Sequence, residues 1–167
     1  MKLPPHPRDL VRAIVIADHS AVADSIQIVR EQHAGNDAAF AVTFEDREGR
    51  QRQGVLGLSK HPEGMWRPSG GFMGTAHPPS ERDVWITWGG WGGGSRKRAV
   101  YGGWVADPTA SSARATDEMT GRTLDDAVEN GVVLFMYEGN FSLHYGRLEL
   151  LDAEGQLLRT GPLHRRP

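Results

Sequence analysis

The 167-residue chain contains no cysteine. Disulfides, thiolate-bound zinc, iron–sulfur clusters and thiol nucleophiles are therefore excluded. Long apolar runs are missing as well. No stretch approaches the roughly 20 residues that a membrane-crossing helix needs. The opening, MKLPPHPRDLVRAIVIADHS, has Lys2 but no continuous apolar segment behind it, because Pro4, Pro5 and Pro7 interrupt it. A secretion signal needs that continuity. These absences predict a cytoplasmic protein without a membrane partner. Net charge is also small: 19 Lys and Arg against 21 Asp and Glu leave −2. No whole-protein field draws in nucleic acid or anionic lipid.

What is present is the composition of a folded protein. Hydrophobic residues make up 38% and charged residues 24%, with five Trp and five Phe. Disordered chains are poorer in apolar side chains and richer in unbalanced charge. A chain this long buries roughly 70% of its unfolded surface and needs no staples. Twenty-one glycines and ten prolines punctuate it often, which suits a mainly β protein.

One helix is predicted, near the start. Asp9 can cap it, and Leu10, Val11, Ile14 and Val15 form one apolar face. The helical periodicity runs over 8–24 and stops before Ser25. SIQIVREQH then alternates as a strand, and AGND turns the chain. AAFAVTF places Phe40, Val42 and Phe44 on one face at period two. EDREGR turns it again, QGVLGLSKH returns, and a short strand follows around Met65 and Trp66. The first portion is thus a helix against an antiparallel meander, an α+β unit over 1–78.

GTAHPPSERD carries the predicted boundary, since Pro78 and Pro79 cannot donate to a ladder. The second portion, 79–167, shows no long helical pattern. Strands are expected over 84–89, 98–106, 112–116, 132–138, 143–151 and 156–160, spaced as in an antiparallel β-sandwich. NGVVLFMY should be the central strand. Val132, Leu134 and Met136 face one way and Val133, Phe135 and Tyr137 the other, so both faces want cover. The turns at 46–49 (DREG) and 152–155 (DAEG) share their chemistry. Asp bonds the backbone two residues on, and Gly accepts positive φ.

The glycine-and-tryptophan segment, VADPTA, NGVVLF and LELLDAEGQLL together resemble C-terminal immunoglobulin-like β-modules of uncharacterised proteins from high-GC bacteria. The resemblance covers about half of the chain and rests on turn motifs. It implies a sandwich and no activity.

ITWGGWGGGSRKRAVYGGW, from 86 to 104, is the segment with a candidate site. It holds three of the five tryptophans and seven glycines. A dinucleotide loop needs a third glycine at position 95, where Ser95 stands; a phosphate loop needs Lys-Ser/Thr after its second glycine, where Gly94 is followed by Ser95 and Arg96. No helix follows in either case. The plain reading is a hairpin in which glycine lets backbones approach, with Trp88 buried and an exposed tip at 95–98. The functional reading stacks a base or sugar ring on Trp91 and Tyr101, with Arg96, Lys97 and Arg98 supplying charge. Basic residues also protect edge strands from aggregation.

Other chemistry is not encoded locally. The seven histidines form no tight ligand pair. The acids of TDEMTGRTLDDAVENG miss the spacing of a calcium loop, so Asp125 and Asp126 are expected to solvate a loop. No Gly-x-Ser-x-Gly elbow occurs. No cofactor and no metal is indicated. Three functions remain in view. The favoured one is a non-enzymatic binding or assembly module, with an unknown protein or small ligand as partner. The second binds an oligosaccharide or single-stranded nucleic acid at the Trp91 loop. The third is a hydrolase with a site between the two portions, using His61 or His77.

Overall fold

Helix α1 (Pro7–His19) begins where proline fixes φ and needs no donor. His6, not Asp9, is the cap, its ring accepting from the Arg8 amide. The helix ends earlier than its periodicity suggests, because Ser20 adopts a left-handed conformation (φ 57°) and the Ala21 amide closes back on the Val15 carbonyl at 3.2 Å. The structure is a computed structural model that describes residues 5–76 and 98–163. The predicted strand over 84–89 and the burial of Trp88 lie outside these residues.

Strands β1 (Gln27–Ala34), β2 (Asp37–Glu45), β3 (Gln51–Lys60) and β4 (Trp66–Thr75) form an antiparallel meander in the order β1-β2-β3-β4. Its two faces follow the period of two. Ala38, Phe40, Val42 and Phe44 of β2, with Leu56 and Leu58 of β3, pack beneath Val11 and Val15 of α1. Ala39, Ala41 and Val55 point the other way. The short strand expected near Trp66 is ten residues long and completes the sheet.

The second portion is β throughout: β5 (Arg98–Trp104), β6 (Ser112–Asp117), β7 (Thr123–Ala127), β8 (Val132–Glu138), β9 (Gly146–Leu151) and β10 (Leu157–Pro162). β5 and β8 pair as a ribbon, and the remaining strands form a sheet in the order β10-β9-β6-β7. Five of these strands match the predicted segments. β7 does not: Asp125 and Asp126 were expected in a loop and stand in a strand paired with β6. The two Asp-x-x-Gly turns are built alike. Asp46 Oδ1 accepts from the amides of Glu48 and Arg50, and Asp152 Oδ1 from those of Glu154 and Gln156. Gly49 and Gly155 take φ of +76° and +77°.

β8 is the middle of the molecule. Val132 and Leu134 join Ala39, Ala41, Val55 and Val100 against the first sheet. Val133 and Phe135 face Ala113, Ala115, Leu148 and Leu150 of the last sheet. The layers thus run helix, sheet, ribbon, sheet. Each fully buried Val, Leu or Phe adds about 1.5–3 kcal/mol, and β8 contributes such residues to both of its faces. The arrangement is mainly β and antiparallel with one N-terminal helix. Among the described residues no helix is long and apolar enough to cross a membrane.

Candidate functional site

Trp91, Arg96 and Lys97 lie outside the described residues, as does His77. Arg98 and Tyr101 are on β5, and their contacts are with the protein's own groups. Arg98 donates from Nε to Glu138 at 2.7 Å, and from one terminal nitrogen to Asp37 Oδ2 at 2.6 Å and to the Ala34 carbonyl. The expected exposed tip therefore does not include Arg98, whose side chain is only 21% exposed. It ties β5 to the β1–β2 hairpin.

Tyr101 stacks on Tyr137 with ring centres 5.7 Å apart. Phe141 lies 5.5 Å beyond and the Arg122 guanidinium 5.6 Å from the Tyr137 ring. Burial pushes both tyrosine hydroxyls above their ordinary range, and a hydrogen bond between the two rings' hydroxyls adds to this at Tyr137. These rings are packing surfaces first.

His61 is exposed on the turn between β3 and β4. His33 is 2.7 Å from Glu31, whose other oxygen meets Arg8 at the start of α1. Burial raises the Glu31 carboxyl, but the hydrogen bonds from His33 and Arg8 outweigh it and hold the group low. This triad lies on the open surface, with the His33 side chain 44% exposed. Among the described residues no three His, Asp or Glu are grouped to hold a metal ion.

An open cleft of about 260 Å³ lies where the end of α1 meets the β2–β3 turn. Local chemistry brings the two together. The left-handed Ser20 swings the chain sideways, its carbonyl accepts from the Arg47 amide at 3.0 Å, and Ala21 bridges to Asp46. Asp18 and His19 then look across at Arg47, Arg50 and Arg52. Asp46 is 3% exposed and saturated by donors: two turn amides and Arg50 Nε at 2.9 Å. Glu48 is held by the same Arg50 at 2.9 Å.

The remaining donors are less satisfied. Arg52 approaches Asp46 only to 3.9 Å, and its buried Nε has no hydrogen-bond partner among the described residues. Arg47 is exposed and makes no ion pair among the described residues. Burial lowers the His19 pKa; Asp18 pulls it upward against this, and nearby Arg52 adds a smaller downward push. The imidazole is therefore neutral near pH 7.

The sequence marks one half of this cleft, as a hairpin turn, whereas the helix stop it suggests, before Ser25, lies beyond the observed end at His19. The usable signal was DREGRQR, three arginines within six residues at a tight turn. What no local pattern told was that a helix end would face them. Comparison of the chain with protein-family models, curated proteins and solved structures returned no match.

Proposed function

We propose that this chain is a non-enzymatic binding or assembly module. The observation that supports the reading is the use made of buried charge. Arg30, Asp46 and Asp117 are the charged residues classed as buried among those described. Each is committed to backbone groups. Arg30 donates to the carbonyls of Ala127 and Val132, both at 2.8 Å. Asp46 accepts the turn amides, and Asp117 accepts from the amides of Met119 and Ser142, both at 2.9 Å. A general acid or base must offer its proton site to a reactant. These carboxylates offer theirs to the chain itself. The open cleft instead gathers three guanidinium groups, which grip oxyanions, beside the imidazole of His19.

The test is turnover. The purified chain is incubated with chromogenic esters, phosphate monoesters and glycosides, and product is followed over hours. The expected result is no release above buffer. Release that saturates with substrate and scales with protein would overturn the reading in favour of a hydrolase.

A further inference from the structure

We propose that the cleft between the end of α1 and the β2–β3 turn binds the oxyanion group of a small ligand, a phosphate or a carboxylate, through Arg47 and Arg52 with His19 as a third donor. The inference rests on the binding-module reading and names a ligand class for it.

The charge arrangement is the first argument. Asp18, Asp46 and Glu48 face Arg47, Arg50 and Arg52, so the formal charges cancel while His19 is neutral. They are not equally available. Asp46 and one oxygen of Glu48 are both engaged by Arg50, which offsets part of their negative charge. What faces the open space is two guanidinium groups, an imidazole and the rim carboxylate of Asp18. Arginine forks match the paired oxygens of carboxylate and phosphate.

The second argument is the unsatisfied donor. Arg52 Nε is buried and lacks a hydrogen-bond partner among the described residues. Leaving such a donor unmade is costly, and the residue that carries it lines the cleft, where its guanidinium can meet a ligand oxygen. At about 260 Å³ the cleft admits a metabolite-sized anion rather than a chain segment. A water takes about 30 Å³, so the space equals several water volumes.

A proton follows from the same geometry. Burial lowers the His19 pKa, Asp18 opposes it, and Arg52 adds a smaller push in the same direction as burial. An anion seated on Arg47 and Arg52 cancels the repulsion that Arg52 exerts on the imidazolium. Binding therefore takes up a proton at His19, and affinity rises as pH falls, by up to about tenfold per pH unit for one proton.

The experiment is isothermal titration of the whole chain with inorganic phosphate and, separately, with succinate, at constant ionic strength set by chloride. The two arms distinguish the phosphate source from the carboxylate source. His19 ring shifts are followed by NMR in parallel. The expected result is millimolar or tighter binding of at least one probe, with the His19 resonances moving and, after correction for the probe's own ionisation, affinity tighter at pH 6 than at pH 8. Arg47→Gln should weaken it about tenfold or more. Arg47 is exposed, so this variant should fold. Arg52→Gln should do the same if it folds. His19→Gln should retain weakened binding and lose the pH dependence.

Binding of both probes no stronger than chloride overturns the proposal, as does binding that Arg47→Gln leaves intact. Failure here without enzymatic turnover leaves the module reading standing with its ligand elsewhere. Turnover of a chromogenic substrate overturns that reading whether or not the oxyanion binds.

Discussion

Arg30 and Asp126 stand 96 residues apart in the chain and share two hydrogen bonds, at 2.6 and 2.8 Å. The pair is bidentate and nearly dry, with side chains 6% and 10% exposed. A register shift in β1 between Ile28 and Arg30 lies beside it. Asp126 also accepts the Leu134 amide at 2.7 Å. One carboxylate thus links β1 of the first sheet, β7 of the last sheet and the central ribbon. Asn130 adds a parallel tie, donating to the Val29 carbonyl at 2.9 Å.

Removing half of this pair strands the other half. Asp126→Ala leaves a buried guanidinium without its counter-charge, and such losses cost about 3–5 kcal/mol. Arg30→Met in the same background should recover part of that, because the orphaned charge goes with it. Urea titration of the two variants measures both effects. Additive losses would mean that the pair is not coupled as drawn.

Why this link was invisible in the sequence is instructive. Alternation displayed the faces of β2 and β8 because Phe40, Val42 and Phe44, and then Val132 to Tyr137, carry apolar residues at the right parity. β7 reads as TLDDA, and its two acids disguise a strand. Only Leu124 and Asp126 are drawn inward, while Asp125 pairs on the surface with Arg114. The inward acid makes sense only beside Arg30, which no local pattern connects to it. β4 was shortened for a similar reason. Pro68, Gly70, Gly71 and Gly74 argue against a strand by propensity. Yet among the described residues β4 is an edge, where proline is tolerated. A Cβ at Gly71 would also lie 2.6 Å from the Val55 carbonyl oxygen, so glycine is what the close approach of β3 requires. The cleft was the least legible feature, because it depends on where the helix end lands.

Gly102 should be intolerant of a methyl group. A Cβ there would lie 2.6 Å from the Val133 carbonyl oxygen and closer still to Leu134 Cδ2. The ribbon strands would have to separate in the most buried layer of the molecule. Gly102→Ala should cost about 1–3 kcal/mol, the usual range for overpacking. Leu134→Ala, which opens a cavity at the same place, should cost about 2–5 kcal/mol. Thermal melts check both. A silent Gly102→Ala would mean that the two strands are not this close.

Stability should fall on both sides of neutrality. Backbone hydrogen bonds, led by the one from Ser142, hold Asp117 below the ordinary carboxylate range despite burial; Thr109 does the same for Asp107. A lowered carboxyl pKa stabilises above the unfolded value, about 4, and is lost as pH falls through the folded value. His19 acts in the same direction from about pH 6.5 downward, since its lowered pKa favours the neutral ring in the folded state. Tyr101 and Tyr137 are raised, so their contribution is complete below about pH 10 and is lost as pH climbs toward their folded values. Denaturant midpoints across pH 3–11 should trace a plateau with two falling limbs. Asp117→Asn should flatten the acid limb, and Tyr137→Phe the alkaline one. Unchanged limbs in both variants would contradict these assignments.

The basic run at 96–98 should divide under mutation. Read as sequence, Arg96, Lys97 and Arg98 are three exposed cations, and changing all of them to Ser would leave stability nearly unchanged. Arg98 breaks that symmetry. It bridges Asp37 and Glu138 and caps the Ala34 carbonyl. Asp37 is itself only 14% exposed and would retain Ser59 as a partner once the guanidinium is gone. Hydrogen bonds to charged groups are the stronger kind, so Arg98→Ser should cost about 1–3 kcal/mol. The exposed Glu138 contact should contribute the smaller share, because water competes for it. Arg96→Ser with Lys97→Ser should stay within about 0.5 kcal/mol of the parent if the sequence expectation of an exposed tip holds for these two positions. Chemical denaturation of the two variants separates the positions, and a salt series adds a second readout. If Arg98→Ser is as silent as the double variant, the bonds of Arg98 to Asp37 and Ala34 do not hold β5 to the first sheet.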